Sequence, residues 1–314
     1  MDDIKRLDLK LGFSCNNNCL SCPQAHRKHL GDLSTEEAKK HLRLGIRDGT
    51  NEVVLTGGEP TVRKDILEIV SYAKSLGYKY IQLQTNGRML SYMPFTRRLV
   101  KAGVTEFGPS LHGHTAEIHD YITRFPGAFG QVVRGIRNLR DLDQNILMNS
   151  VIHRLNYKHL EDLVQLFIDL RADQAQLAFI HPVGNAWENF DLLVPRKSEA
   201  MPFIHRALDL GTQGGMKMMV EAYPFCFMGG YEKYCSELYM PPAEIRDAVG
   251  HVRDFDRLRR ETGKSKFPQC RNCRFDLVCE GPWKEYPERL GSDEFRPVPG
   301  KKLKNPKEIL SDEE

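Results

Sequence analysis

Apolar runs and amphipathic stretches alternate along the first two thirds of the chain. The short apolar runs predict strands, and the stretches between them carry apolar residues three or four positions apart, which predicts helices. One helix begins after Ser34, where Ser-Thr-Glu-Glu forms a capping signal. The predicted strands are residues 7–13, 52–56, 80–85, 106–112, 146–153 and 175–181. The other predicted helices are residues 65–75, 96–102, 128–141 and 157–170.

This alternation predicts an α/β fold with a parallel sheet that closes into a barrel or a partial barrel, with its chemistry in the loops after the carboxyl ends of the strands. The pattern changes after residue 195. One helix over residues 199–210 and a short strand over 217–221 precede a segment rich in Cys, Gly and Pro. We therefore expect a barrel over residues 1–205, a small irregular subdomain over 206–290 and a loose polar tail over 291–314.

Size and charge narrow the class of protein. The 314 residues suffice for one large domain with an appendage. A net charge of +3 gives no support for a nucleic-acid partner. The first ten residues lack the apolar core of a signal peptide, and no apolar stretch of about 18 residues could span a bilayer. We expect a cytoplasmic protein without a membrane partner, in which grouped cysteines bind metal rather than form disulfides.

Three of the eight cysteines follow the first predicted strand. Cys15, Cys19 and Cys22 have the spacing Cys-x3-Cys-x2-Cys, which lets three thiolates converge on one side of a compact loop. No fourth sulfur lies nearby in the sequence. Sulfur ligands select zinc, copper(I) or iron–sulfur clusters, and a cubane cluster held by three cysteines keeps one iron open to an external ligand. The cysteines alone leave zinc or a structural role as alternatives.

The next two strands end in motifs that add to this picture. The second strand ends in Thr-Gly-Gly-Glu-Pro at positions 56–60, where two glycines let a ligand approach the backbone beside a carboxylate. The third strand ends in Thr-Asn-Gly at positions 85–87. Taken alone, Gly-Gly-Glu-Pro is more often a turn than a site, and Thr-Asn-Gly is equally typical of a turn at the end of a strand. With the cysteine motif one βα unit earlier, however, the sequence resembles the radical S-adenosylmethionine (SAM) enzymes.

The resemblance implies specific cofactor contacts. In that family the three cysteines hold a [4Fe-4S] cluster, and the amino and carboxylate groups of SAM bind the fourth iron, within a partial (β/α)6 TIM-like barrel. Cys15, Cys19 and Cys22 match the cluster ligands. The family's aromatic residue before the third cysteine is replaced here by Ser21, so adenine has no stacking partner at that position. The implied SAM contacts are Gly57, Gly58, Glu59, Pro60, Asn86, Ser110 and Arg124.

The other five cysteines lie in the irregular segment. They are Cys226, Cys235, Cys270, Cys273 and Cys279. The last three have the spacing Cys-x2-Cys-x5-Cys, and with Cys226 they complete a set of four sulfurs that would stabilise a subdomain with little core. Cys235 competes for one of the four places. The segment resembles the SPASM and twitch extensions of radical SAM enzymes, which implies one auxiliary [4Fe-4S] cluster. A structural zinc ribbon is the alternative.

The resemblance implies a radical SAM oxidoreductase or maturase. Such an enzyme cleaves SAM reductively to a 5'-deoxyadenosyl radical, which abstracts hydrogen from the substrate, and the auxiliary cluster would transfer electrons. A flavodoxin or ferredoxin is the expected electron donor. The substrate is a peptide side chain or a small metabolite. A glycyl-radical enzyme activator is one alternative, and a zinc or iron–sulfur binding protein without catalysis is another.

No catalytic acid or base is assigned from the sequence. Several polar residues follow the fourth and sixth predicted strands, on the face where a barrel places its active site. A histidine in such a loop is more often a hydrogen-bonding surface residue than a catalytic acid or base. These residues are His112, His114, His119, His181 and Asn185.

Overall fold

Eight parallel strands and one short antiparallel strand form a single sheet in the computed structural model, which describes residues 5–311. The strands are β1 Arg6–Lys10, β2 Glu52–Thr56, β3 Tyr80–Thr85, β4 Glu106–Pro109, β5 Asn145–Ile152, β6 Gln174–Phe179, β7 Lys217–Glu221, β8 Ala243–Arg246 and β9 His251–Val252. Their spatial order is β7-β6-β5-β4-β3-β2-β1-β8-β9, so the sheet stays open. This confirms the predicted α/β fold with a partial barrel.

Helices connect the strands and cover the outer face of the sheet. Ser34 caps the first helix as predicted: its side chain accepts the N–H of Glu37, and the Glu37 carboxylate accepts the N–H of Ser34. No helix within residues 5–311 is long and apolar enough to cross a membrane. The helices are α1 Thr35–Arg47, α2 Ile66–Ser75, α3 Met93–Ala102, α4 Ala116–Thr123, α5 Ala128–Asp141, α6 Leu160–Asp169, α7 Asn185–Glu188, α8 Phe190–Leu193, α9 Lys197–Gln213, α10 Phe255–Leu258, α11 Glu285–Leu290 and α12 Lys307–Ser311.

The two faces of the sheet differ in polarity, and β1 shows why. Its sequence alternates charged and apolar residues, so that Leu7 and Leu9 point to one face and Arg6, Asp8 and Lys10 to the other. The leucines are fully buried in the core shared with the helices. The charged residues face the concave side of the sheet, where polar side chains of other strands also lie. The chain therefore folds around a polar interior.

The boundary predicted at residues 205/206 does not separate two folding units. Both β7 and β8 lie within the predicted subdomain, yet they pair with β6 and β1 of the main sheet. The sequence analysis missed β8 because this four-residue strand follows two prolines and is too short to show alternation. The strands of the barrel therefore continue to Arg246, and irregular stretches lie both between β7 and β8 and after β9.

Residues 291–311 are also not a loose tail. Phe295, Leu303 and Ile309 are buried, and the backbone N–H of Leu303 donates to Arg274 O at 2.9 Å. These apolar residues are spaced widely among charged ones, so the segment looks polar in composition. It nevertheless packs on the cysteine-rich part of the chain, residues 222–242 and 253–290. The last three residues of the expected tail, and the first four of the chain, lie outside the described residues.

A buried lysine joins the barrel to the cysteine-rich part. Lys197 is fully buried, its Nζ donates to Ala222 O at 2.9 Å, and the same Nζ lies 3.2 Å from the ring centroid of Phe179. The rings of Tyr223 and Tyr286 complete the enclosure, with centroids 4.8 and 5.3 Å away. Burial lowers the pKa of Lys197 well below its ordinary value. This contact fixes the two parts relative to each other.

Buried histidines should make the fold sensitive to acid. Burial lowers the pKa of His119 to about 3, and it holds the pKa of His153 well below 6.5. Below pH 6.5 the unfolded chain binds protons that the folded chain excludes, so the free energy of unfolding falls as the pH falls. The expected loss is at most about 1.4 kcal/mol per pH unit for each histidine. Urea unfolding at about pH 7 and about pH 5 measures it.

The matched variants for this experiment are His119→Asn and His29→Asn. An Asn side chain can keep the acceptor that His119 Nδ1 offers to the His112 N–H at 3.1 Å, but it does not titrate. The pH dependence should therefore be shallower in His119→Asn and unchanged in the variant of exposed His29. An equally steep dependence in His119→Asn would contradict the explanation.

Candidate cluster and cofactor site

The loop after β1 carries the first three cysteines, all partly exposed at the carboxyl end of the strand. Asp32 shapes the start of this loop, since its Oδ1 accepts the N–H groups of Phe13 and Ser14 at 2.8 and 3.0 Å. Gly12 is required for this approach, because a Cβ there would lie 2.0 Å from Asp32 Oδ1. The sequence analysis missed Asp32, which no motif marks.

The Gly-Gly-Glu-Pro loop after β2 is in direct backbone contact with the cysteine loop. Gly58 N donates to Gly12 O, and Glu59 N donates to Ser14 O, both at 2.8 Å. A Cβ at Gly57 would lie 2.3 Å from Gly12 O, and one at Gly58 would lie 2.1 Å from Ser14 O. Because both obstacles are backbone atoms, the two loops can meet only if both residues are glycine.

The Glu59 carboxylate ties this loop to the next one. Its Oε1 accepts the N–H of Thr61 at 3.0 Å and the hydroxyl groups of Thr61 and Thr85 at 2.5 and 2.6 Å, while Oε2 accepts the N–H of Asn86 at 2.6 Å. Burial raises the pKa of Glu59, and these hydrogen bonds oppose that effect. Pro60, also buried, begins a short 3-10 turn. The carboxylate is nearly saturated by the protein, so what this motif offers a ligand is its backbone.

Asn86 and Arg88 hold the cysteine loop from the side of β3. Asn86 Nδ2 donates to Asn16 Oδ1 at 2.6 Å and lies 3.9 Å from Cys15 Sγ. Arg88 Nη1 donates to Asn16 O and Asn17 Oδ1 at 2.6 and 2.8 Å. The sequence analysis found Asn86 but not Arg88, because nothing in the pattern around Arg88 distinguishes it from the other arginines.

The loop after β6 supports the cysteine loop from the other side. Asn185 Nδ2 donates to Cys19 O at 2.8 Å, and Asn185 N donates to Cys22 O at 3.0 Å. Leu20 N also donates to Ile122 O near the end of α4 at 2.8 Å. Asn185, which the sequence offered as a substrate contact, thus supports the backbone that carries two of the cysteines.

The thiol groups of Cys15, Cys19 and Cys22 suit a cluster better than a single ion. Burial, reinforced by the thiols of Cys15 and Cys22, raises the pKa of Cys19 to about 12. A tetrahedral zinc site would hold its sulfurs about 3.8 Å apart, given Zn–S bonds of about 2.3 Å. A cubane holds them further apart, because each cysteine binds a different iron.

The distances between possible metal ligands help to distinguish a single zinc ion from a cluster. Within residues 5–311, one group of three possible ligands has all its ligand atoms within 4.8 Å of one another, and it consists of His114, His159 and Asp162. The sulfurs of neither cysteine group are all this close together. The cysteine sulfurs therefore stand further apart than one zinc ion requires. The donor set of three thiols in one loop fits a [4Fe-4S] cluster after β1.

A second pocket collects four of the remaining cysteines. Cys226, Cys270, Cys273 and Cys279 line it together. Backbone N–H groups donate to three of the sulfurs: Phe267 N to Cys270, Val298 N to Cys273 and Gly281 N to Cys279, at 3.3–3.5 Å. Such N–H···S hydrogen bonds stabilise thiolates around an iron–sulfur cluster. The four residues therefore fit an auxiliary cluster as well.

Cys235 lies apart from that pocket. It is 1% exposed, pairs with Val220 at the end of β7, and its Sγ lies 3.8 Å from Tyr223 O, as expected for a thiol that donates a weak hydrogen bond. Burial raises the pKa of Cys235 well above its ordinary value. Of the five candidate ligands, the structure thus groups four and places Cys235 in the core.

Ser110 and Arg124 occupy different surroundings. Ser110 N donates to Thr85 O at 2.9 Å, which brings Ser110 to the residue that binds Glu59. Arg124 ends α4 with a positive φ of 55°, and its side chain is exposed. Ser110 therefore lies at the site, whereas Arg124 points into solvent.

The histidines after β4 and β6 take structural positions. His112 Nδ1 accepts the N–H of Val151 at 3.2 Å, and both His112 and His119 are buried. His181 stacks on Trp283 of the cysteine-rich part, with ring centroids 3.9 Å apart and an angle of 9° between the planes. His114 is partly exposed beside Asp162. The contacts of His112, His119 and His181 are thus with the protein itself.

This geometry can be compared with known proteins. Residues 9–167, just over half of the chain, match the radical SAM superfamily. The chain belongs to the radical SAM superfamily. The superfamily's members are enzymes whose cofactors are a [4Fe-4S] cluster and SAM, so the sequence prediction of an enzyme and of these cofactors is confirmed.

Two curated relatives illustrate the range of the similarity. The AdoMet-dependent heme synthase of Methanosarcina barkeri is 32% identical over 220 residues, which is 69% of this chain and 62% of that protein. The probable GTP 3',8-cyclase of Saccharolobus islandicus is 32% identical over 185 residues, which is 58% of either chain. The chain spans only about three fifths of the length of these relatives.

The fold is also found in solved structures. SuiB of Streptococcus suis, solved bound to S-adenosylmethionine, superposes with a TM-score of 0.67 at 16% identity, over 94% of this chain and 76% of that one. SuiB bound to its precursor peptide SuiA gives a TM-score of 0.63 over 84% of this chain and 62% of that one, again at 16% identity. At this identity the likeness concerns the fold, and it extends through the cysteine-rich part.

The contact between the two glycine loops can be tested with Gly58→Ala. The new Cβ would lie 2.1 Å from Ser14 O, so we expect the free energy of unfolding to fall by about 3 kcal/mol and the iron bound after anaerobic reconstitution to decrease. Gly130→Ala is the matched control. A Cβ at Gly130, in α5, meets nothing within 4 Å and should stabilise the helix by at most about 1 kcal/mol. Equal iron content in the two variants would contradict the analysis.

Proposed function

We propose that this radical SAM enzyme binds its first cluster through Cys15, Cys19 and Cys22 and abstracts hydrogen from a substrate held in the barrel. The observation that supports this most is the joining of three loops, after β1, β2 and β3, by backbone contacts and by one buried carboxylate. When bound and reduced by one electron from an external donor, the cluster and SAM supply methionine and a 5'-deoxyadenosyl radical.

The chain's own residues have the task of placing SAM. We assign the amino group of SAM to the backbone of Gly57, Gly58 and Glu59, because the Glu59 side chain is already occupied by the protein. Asn86 and Ser110 are polar residues at the same edge of the sheet, and they suit contacts with the adenosine part of SAM. Arg124, which follows the end of α4, is the least suited of the predicted contacts, because its side chain is exposed.

The second pocket supports an auxiliary cluster ligated by Cys226, Cys270, Cys273 and Cys279. With four thiols around it, such a cluster would have no open iron for a substrate, so its role is electron transfer. The stack of His181 on Trp283 lies between this segment and the end of β6. A flavodoxin or ferredoxin remains the proposed electron donor.

The substrate is proposed to be a peptide side chain or a small metabolite. Both types have parallels among similar proteins, since a SuiB structure contains a precursor peptide and one relative is named as a GTP cyclase. The interior of the barrel is the part of the chain that must select between them.

Two sets of cysteine substitutions separate the proposed clusters. Replacing Cys15, Cys19 and Cys22 by Ala should abolish reductive formation of 5'-deoxyadenosine from SAM, because the iron that binds SAM is lost. Replacing Cys270 and Cys273 by Ala should leave uncoupled SAM cleavage measurable. In both cases the iron content should fall from about eight to about four per chain, since each cubane holds four. Anaerobic iron analysis and chromatography of the nucleoside measure these effects.

Cys235→Ala is the matched control for both sets. Because Cys235 lies in the core and away from the other four cysteines, this variant should keep about eight iron atoms and should cleave SAM. SAM cleavage by the triple variant would show that the first site is assigned wrongly. Stoichiometric zinc in place of iron in the purified wild type would reject the proposed chemistry altogether.

A further inference from the structure

The concave face of the sheet encloses a large polar chamber. Its volume is about 740 Å³, which falls within the range of about 300–1,000 Å³ typical of small-molecule sites. Strands β1 to β8 all contribute to its wall, from their amino ends up to Gln84 and Glu221. Gln84 precedes Thr85, the residue that binds Glu59, so the chamber wall reaches the end of the strand that leads into the proposed SAM site.

The lining of this chamber is unusual for a barrel of parallel strands. Branched aliphatic residues generally fill such an interior. Here the strands instead direct amide and charged side chains inward at alternate positions, as in the Gln82 and Gln84 pair of β3 and the Gln174 and Gln176 pair of β6. A polar interior of this kind suits a ligand with many hydrogen-bonding groups, because a purely apolar ligand would leave these amides unpaired.

The charges in the chamber do not balance. Arg6 pairs with Glu52 at 2.8 Å, and Arg259 is held by two hydrogen bonds to Glu280 at 2.8 and 2.9 Å, so both arginines are already neutralised. Lys217 is exposed at the amino end of β7. Among the described residues of this lining, Lys217 is thus the cation without a carboxylate partner, and Lys10, on the same face of β1 as Asp8, lies outside the lining.

Two carboxylates of the lining, Glu52 and Asp256, pair with these arginines, and three further carboxylates are distributed around the wall. Asp8 lies on β1, Glu106 on β4 and Glu221 on β7, so they face the chamber from the two wings and the centre of the sheet. Within residues 5–311, no Lys or Arg nitrogen comes within 4.0 Å of any of the three. Burial raises the pKa of each of these carboxyl groups. The chamber thus carries an excess of desolvated negative charge.

Hydrogen-bond acceptors are in excess as well. Gln176 donates to Glu221, and Gln82 donates to Glu106 at 3.2 Å, so amides partly satisfy these two carboxylates. The carboxylate of Asp8 accepts no hydrogen bond from the described residues, and Asn149 Oδ1 is buried without a partner. A ligand that completes this lining must donate hydrogen bonds and carry positive charge.

We propose that the chamber binds a substrate group with a protonated amine or guanidinium, held by Asp8 and Glu221, and that hydrogen is abstracted from the carbon chain that carries this group. The proposal rests on the proposed radical SAM function, since the chamber matters only beneath a bound SAM. The same chemistry can come from a free polyamine-like metabolite or from a Lys or Arg side chain of a peptide.

The test uses matched probes on the reconstituted full chain with SAM bound. In one arm, calorimetry compares cadaverine, aminopentanol and pentanediol, which share a carbon chain and differ in the number of ammonium groups. In the other arm, it compares capped Gly-Lys-Gly with the same tripeptide containing norleucine. In at least one arm the cationic probe should bind about tenfold more tightly than the neutral one, as expected for one hydrogen bond to a charged group. The arm that discriminates identifies the source.

Variants then connect the preference to the chamber. Asp8→Asn and Glu221→Gln should each reduce it by several-fold, whereas Asp141→Asn, at an exposed acid of α5, should not. The two chamber variants should also raise the thermal unfolding midpoint, because each removes a partly buried carboxylate without an ionic partner. A loss of binding then cannot be explained by loss of folding.

Three outcomes would overturn the proposal. They are equal binding of cationic and neutral probes in both arms, no binding of any probe, and a preference that survives when Asp8→Asn and Glu221→Gln are combined in one chain. Formation of 5'-deoxyadenosine, measured on the same preparations without any probe, reports on the proposed radical SAM function separately. An error in the proposed cation binding can therefore be distinguished from an error in the proposed radical SAM function.

Discussion

The close backbone contact between the cysteine loop and the Gly-Gly-Glu loop is the constraint on which the rest of the site depends. Two hydrogen bonds of 2.8 Å join these loops. The loops can approach this closely only because positions 57 and 58 are glycines, which have no Cβ. Glu59 extends the same arrangement to the loop after β3. Neighbouring parallel strands end side by side, so three short motifs that are far apart in sequence form one rigid rim.

The rim and the chamber have different roles in the barrel, since the rim suits cofactor binding and the chamber suits substrate binding. The rim is built from backbone groups and saturated side chains, and it suits a cofactor whose position must not vary. The chamber is built from side chains, several of them costly to bury, and it suits a ligand that supplies what they lack. The cysteine-rich part closes around the edge of this barrel and is fixed to it by Lys197 and its three aromatic rings.

Much of this site could be predicted from the sequence, because local sequence motifs determine it. The cap at Ser34 and strands β2, β3 and β7 were predicted with nearly their observed bounds. The grouping of Cys226 with the Cys-x2-Cys-x5-Cys run was predicted from spacing, and these four cysteines line one pocket. The packing of Phe295 against the cysteine-rich part and the clamp formed by Arg88 depend on distant residues, so composition and spacing could not reveal them. Alternation in β1 likewise shows two different faces without showing which one encloses a chamber.

Glycines that tolerate no methyl group leave the rim almost no freedom to change during evolution, whereas amides and acids on the chamber wall can be exchanged singly without disturbing it. Selection for a new reaction could therefore act on the wall while inheriting the radical-generating apparatus intact. Such a division is in keeping with relatives of equal similarity that carry names as different as heme synthase and GTP cyclase.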